Sequence, residues 1–226
     1  MIENLVILPV LLFSVVLHEL AHGWMALKLG DPTARDQGRL TLNPIPHIDL
    51  FGSILIPLLS LAAAGSVFIA WAKPVPVNPA NFSNPRRDDI LVSAVGPITN
   101  LVISFGCTLT VIALVLVGRT ILTGNQPLLE EVFDFLKRMF YGGIFLNIVL
   151  AVFNLIPVPP LDGSHLLASV LPSSLAARFR SIGFFGVFVL IALMRVPFFN
   201  EAFRVVTGAL FAPFRAMIAH FLTPSL

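Results

Sequence analysis

Long apolar runs separated by short polar or proline-rich stretches dominate the pattern along this chain. A membrane-crossing helix needs about 20 mostly apolar residues. The first such run, about Leu5 to Leu29, stops at Gly30-Asp31-Pro32, a combination that ends a helix. Further runs cover Phe51–Trp71, Ile90–Val117, about Phe140–Ile156, about Ile182–Val196 and Glu201–Leu222. The fourth ends at Pro157, Pro159 and Pro160, and the last is interrupted by Arg204, Pro213 and Arg215. Two connections carry a different pattern. Ala34–Pro46 has a turn signal at Asp36-Gln37-Gly38 and then extended-looking residues. Ala72–Pro85 contains Pro74, Pro76, Pro79 and Pro85, a density that excludes a helix and favours an extended path. The pattern predicts an all-α polytopic membrane protein. It has about five to six membrane helices or re-entrant segments, joined by short extended or β-like loops.

Composition sharpens this. Charged residues make up 12% of the 226, against roughly 25% in an ordinary soluble domain. The hydrophobic fraction is 57% and the mean hydropathy +0.92. A soluble fold of this size cannot hide that much apolar surface, so the lipid bilayer is its expected surroundings. The net charge of +2 fits basic membrane-flanking loops and not a nucleic-acid surface. The single cysteine, Cys107, excludes an intrachain disulfide. The N-terminus lacks the charge and cleavage site of a signal peptide and is expected to stay attached. A single domain is expected over residues 1–226, with its core at about 5–170.

The chemistry lies within the first run, at His18-Glu19-Leu20-Ala21-His22. Histidines at i and i+4 leave one helix face close enough to bind one zinc. The intervening glutamate can take a proton from water at that metal. Ionisable groups at this depth are costly and usually functional. A pair of core histidines beside a neutralised glutamate would instead need other polar partners in hydrocarbon. A catalytic zinc usually takes three protein ligands. His47 sits in a Pro-flanked loop and His220 near the C-terminus, so the best candidate for the third ligand is Asp162. It follows the prolines that unwind the fourth run, and broken membrane helices are tolerated where they line a cavity. The competing reading makes Asp162 the N-cap of a helix over Ser164–Val170.

His18-Glu19-x-x-His22, with Asn154-x-x-Pro157-x-Pro159-Pro160-Leu161-Asp162-Gly163 further on, resembles the site-2 protease family of intramembrane metalloproteases. Gly96-Pro97-Ile98-Thr99-Asn100 is similar to that family's Gly-Pro motif. The resemblance is to a minimal member without PDZ or CBS regions. It implies one zinc held by His18, His22 and Asp162, Glu19 as general acid/base, and Asn154 donating near the scissile carbonyl or its oxyanion. For Asn154 the alternative is a hydrogen bond between packed helices. For Gly96 and Asn100, helix packing is favoured over chemistry. The expected reaction is hydrolysis of a peptide bond in or near a transmembrane segment of a membrane-protein substrate. That substrate must unwind, and residues 39–43 or 72–77 are candidates to receive it by β-addition, the alternative being that they are ordinary connecting loops. The rival readings are a non-proteolytic zinc-binding scaffold and a metal transporter. Glu19 disfavours the first, and the confinement of polar groups to one depth disfavours the second.

Basic residues favour the cytoplasmic side. None precedes the first helix, while Lys28, Arg35 and Arg39 follow it, so the site is expected to open toward the cytoplasmic side of the cell membrane. For Asp162 to meet the histidines, Phe51–Trp71 is then expected to re-enter and return, its bend supplied by Gly52, Pro57 and Gly65. The C-terminal segment, with Arg204 and Arg215, is expected to lie in the interface or to pack with its arginines inward.

Overall fold

Proline, glycine and short polar side chains set the ends of the helices. The computed structural model describes residues 6–55, 71–122 and 126–222, and all regular structure among them is helical. Helix α1 spans Leu8–Lys28 and α2 Thr33–Asp36. Short helical turns follow at Ile45–His47, Leu50–Leu55 and Pro79–Asn81. Then come α3 (Pro85–Ile121), α4 (Pro127–Asn154), α5 (Asp162–Val170), α6 (Ser173–Arg180), α7 (Gly186–Leu193) and α8 (Pro197–Leu222). Asn84 caps α3 reciprocally: its Oδ1 accepts from the Arg87 amide, and its own amide donates to Asp88.

Among the described residues, α1, α3, α4 and α8 are long and apolar enough to cross a membrane. A fifth span counts if the bent segment from Ser173 to Leu193 is one. The expected run at about Ile182–Val196 is helical over Gly183–Leu193, and the 71° bend lies ahead of it, where it joins Ser173–Arg180. Of the two alternatives expected for the C-terminal segment, only the inward packing of its arginines is excluded. Helix α8 runs unbroken from Pro197, and Arg204 and Arg215 are both exposed, not turned inward. Arg204 pairs along the helix with Glu201 at 2.7 Å. The expected re-entry of Phe51–Trp71 lies largely outside the described residues. Its described flanks do meet. The Trp71 amide donates to the Gly52 carbonyl (3.1 Å), Ser53 Oγ to the Trp71 carbonyl (2.8 Å), and the Lys73 amide to the His47 carbonyl (2.9 Å).

The chain divides into two compact units, Val15–Gly96 and Met1–Ser14 with Pro97–Leu226. In the second of these, Val10, Cys107, Val111, Ile112, Ile144, Ile148 and Ile218 form an apolar core. Gly143 permits close packing there: a Cβ on it would come within 2.8 Å of Val10. Polar side chains cross-link the same core. Asn100 Nδ2 donates to Asn147 Oδ1 (3.2 Å), Asn147 Nδ2 to the Gly143 carbonyl (2.9 Å), and Ser104 Oγ to the Ile144 carbonyl (3.0 Å). The first and last of these join α3 to α4 and hold the two helices in register, while the second lies within α4.

In the Val15–Gly96 unit, Gly30 (φ +102°) turns the chain out of α1, and Ala26, Phe82 and Val92 form a small core. Fully buried Asp31 gathers the turn. It accepts from the Thr33 amide and hydroxyl, from the Asn78 amide (2.7 Å) and from Asn81 Nδ2 (2.7 Å). Burial alone would raise the Asp31 pKa; the donors from Thr33, Asn78 and Asn81 outweigh it and hold the carboxyl below its ordinary value. The result is a proline strap, residues 72–78, laid over α1. Gly23 allows the approach, since a Cβ there would press on Leu40, Val75 and Ala34.

Candidate metal centre

Helix α1 presents His18 and His22 one turn apart on one face, buried at 7% and 8% exposure. Their Nε2 atoms stand 3.1 Å apart. His22 Nδ1 lies 2.7 Å from the Val92 carbonyl oxygen of α3. A carbonyl only accepts, so Nδ1 carries the hydrogen and Nε2 of the neutral ring carries the lone pair. This is the arrangement of a metal-ligating histidine, its other nitrogen fixed by a backbone carbonyl. Two nitrogens of a tetrahedral zinc site, each bonded at about 2.0–2.1 Å, stand about 3.4 Å apart, close to the separation seen.

Gly96 faces the pair. A Cβ at this position would lie 2.6 Å from His18 Cε1 and 2.7 Å from His18 Nε2, and it would strike His22 Nε2 as well. The missing side chain is therefore the room in which the imidazoles meet. The sequence suggested helix packing for Gly96, and what it packs against is the two rings. Both the donor set and this cradle fit a zinc ion.

Glu19 is half-buried on the same helix. Its Oε2 accepts the Val75 amide at 2.8 Å, so the proline strap fixes one carboxylate oxygen. The sequence marked residues 72–77 for substrate contact and gave no role to Val75 toward Glu19. The signal available was Gly23, an unfavourable residue inside a helix, directly after the second histidine.

Asn154 and Asp162 belong to the other unit. Asn154 is the last residue of α4, and its Nδ2 donates to the Leu150 carbonyl at 3.0 Å. Helix α5 starts at Asp162 itself, preceded by Leu161 at the cap position, so Asp162 is not the N-cap of a helix beginning at Ser164. Its carboxylate stands at the positive end of the helix dipole, a favourable place for negative charge. The Asp-Gly pair has a steric cause. A Cβ on Gly163 would come within 2.6 Å of the Ile156 carbonyl and run into that of Leu155, so only glycine lets the chain fold back there.

The chain is 38% identical over 187 residues to a Bacillus subtilis protein provisionally named zinc metalloprotease YwhC, covering 83% of this chain and 78% of that one. It is 29% identical over 196 residues to the Mycolicibacterium smegmatis protein provisionally named zinc metalloprotease Rip2, covering 85% and 67%. The Rip2 of Mycobacterium tuberculosis H37Rv is also 29% identical, over 204 residues, covering 88% and 70%. No solved structure matches the chain. Residues 6–194 match the model of peptidase family M50, and with relatives of this similarity the chain belongs to that family, the site-2 protease family of zinc metalloproteases.

Proposed function

We propose that this chain is a zinc-dependent intramembrane endopeptidase that cleaves a peptide bond in or near a transmembrane segment of a membrane-protein substrate. The observation that carries the reading is the histidine pair. Its nitrogens are opposed at 3.1 Å, one tautomer is set by Val92, and Glu19 stands between them in sequence with one oxygen held by Val75. In this reading His18, His22 and Asp162 hold one zinc per chain, and the two units act as a single protease domain over residues 1–226.

Bound zinc supplies Lewis-acid polarisation of water and of the scissile carbonyl. The chain's own residues do the rest. Glu19 accepts a proton from water as the water oxygen attacks the carbonyl carbon. It returns that proton to the amine nitrogen as the carbon–nitrogen bond breaks. The second N–H of the Asn154 amide, beside the one given to Leu150, donates toward the negative charge developing on the carbonyl oxygen. A substrate helix must unwind first, because helical carbonyls are already hydrogen-bonded. We assign the receiving edge to residues 39–43 or 72–77. In the second, Pro74 and Pro76 offer only carbonyls, so a substrate strand would donate and not accept at those positions.

The proposed topology opens the site toward the cytoplasmic side of the cell membrane, with the segment between Gly52 and Trp71 re-entering. The hydrogen bonds joining its described flanks support this, since a segment that leaves and returns to neighbouring residues does not end on the opposite side. The site is tested by His22→Ala and Asp162→Ala in purified protein. Both are expected to lose cleavage and to retain zinc poorly. Undiminished zinc binding by His18→Ala/His22→Ala would refute the site.

A further inference from the structure

Arg39 is 6% exposed, yet it forms no ion pair among the described residues. Its Nη2 donates to the Lys73 carbonyl at 2.7 Å, and its buried Nε has no acceptor among the described residues. A guanidinium withdrawn from water to serve one carbonyl is costly, so its place needs a reason beyond stability. The carbonyl it holds belongs to the proline strap. The Lys73 amide donates in turn to the His47 carbonyl at 2.9 Å, so both polar backbone groups of Lys73 are gripped. Two residues on, the Val75 amide holds Glu19 Oε2. Beyond it the Asn78 amide is held by Asp31. Between these anchors Pro74 and Pro76 fix their own φ and restrict Lys73 and Val75 before them.

We propose that Arg39 is a positioning residue for the base. By clamping Lys73 it holds the strap in the register that puts the Val75 amide on Glu19 Oε2, and so selects one rotamer of a side chain with three free torsions. Oε1 is then the oxygen that exchanges the proton. Asp31 anchors the far end of the same strap. The inference rests on the reading of Glu19 as the base.

Arg39→Ala, Arg39→Lys and Val75→Pro test it in the full-length chain, purified in detergent micelles. The last removes the amide hydrogen at a position already flanked by prolines, and it also exchanges the buried isopropyl group that packs near Gly23 for a ring, so Val75→Ala, which keeps the amide, is run as its packing control. Three quantities are read: exchange of the Val75 amide hydrogen, bound zinc, and kcat and KM on a single-span model substrate that the wild type cleaves. In Arg39→Ala the Val75 amide is expected to exchange about tenfold faster or more. Its kcat is expected to fall about 10–100-fold, as for loss of other groups that orient a metal site. KM is expected to stay within about threefold, with zinc retained. Arg39→Lys should recover most of the kcat by restoring a donor to Lys73, and Val75→Pro, which has no amide hydrogen at this position, should match Arg39→Ala in kcat, KM and bound zinc. An unchanged Val75 exchange rate in Arg39→Ala, or wild-type kcat in Val75→Pro, overturns the proposal. So does loss of zinc in Arg39→Ala with no recovery in Arg39→Lys, which marks Arg39 as merely structural. If Arg39→Ala does not fold, Val75→Pro and Arg39→Lys decide by the same criteria. Glu19→Gln run alongside separates the two failures. An active Glu19→Gln removes the base itself, whereas an inactive Glu19→Gln beside a fully active Arg39→Ala removes only the clamp.

Discussion

Replacing Gly96 by alanine adds one methyl group where the two imidazoles meet. The new Cβ would stand 2.6–2.7 Å from His18 atoms and closer still to His22 Nε2. Ordinary contact begins at 3.4 Å, so His18 must retreat by about 0.7–0.8 Å. Zinc–ligand distances tolerate only about ±0.2 Å. The shift exceeds that tolerance several times over. Zinc affinity is therefore expected to fall about 10–100-fold, or about 1.4–2.8 kcal/mol. The helix itself responds differently. Alanine is about 1 kcal/mol better than glycine in a helix interior, which offsets part of an overpacking cost of about 1–3 kcal/mol. The metal-free protein should thus change little in thermal stability while the zinc-bound form loses much of its extra stability. The assay is zinc titration of purified protein in detergent against a chromogenic chelator, with thermal melts of the metal-free and loaded forms. Zinc affinity in Gly96→Ala within about threefold of wild type would refute the steric argument.

The remaining predictions concern packing, pH and topology. Asn147→Leu leaves the polar link to Asn100 unmade and should lower the unfolding free energy by about 0.6 and at most about 1.7 kcal/mol for an interhelical bond of this kind, read as a lower denaturation midpoint; an unchanged midpoint contradicts it. Asp31 titrates below its ordinary value of 3.8, so its contribution to holding the strap is present above that value and is lost as pH falls through the lower folded value. Amide protection at Asn78 should hold from neutral pH down to about pH 4 and fall below it, whereas Asp31→Asn should be weaker at neutral pH and flat with pH; identical profiles would count against the Asp31 anchor. Single cysteines at Asp49 and Ser83 should react with a membrane-impermeant reagent from the same side, and labelling from opposite sides rules out re-entry.

Much of the candidate site is legible in the sequence because its proposed chemistry is local. His18, Glu19 and His22 lie within one helical turn, and helix periodicity alone puts the two histidines on one face. The C-terminal end of α1 was readable from Gly30 and Pro32, and the strap from its prolines. The groups that tune the site are backbone atoms distant in sequence. The Val92 carbonyl sets a tautomer and the Val75 amide holds a carboxylate, and no residue type announces either role. Gly96 was visible as a glycine in an apolar helix, but its partners were not. The run at about Ile182–Val196 is helical over Gly183–Leu193, but hydrophobicity did not register the bend that joins it to Ser173–Arg180. Of the two C-terminal alternatives, inward-packed arginines are not found, and Arg204 pairs instead with Glu201 one turn away on its own helix.

The central claim is that zinc and Glu19 together perform the hydrolysis. Wild type and Glu19→Gln, purified in parallel, are assayed for bound zinc and for cleavage of a single-span model substrate. The account predicts one zinc per chain in both proteins, with cleavage in Glu19→Gln reduced by about 10²–10⁴-fold or more, the scale of a lost general acid/base. Cleavage by Glu19→Gln at the wild-type rate, with zinc still bound, would contradict it.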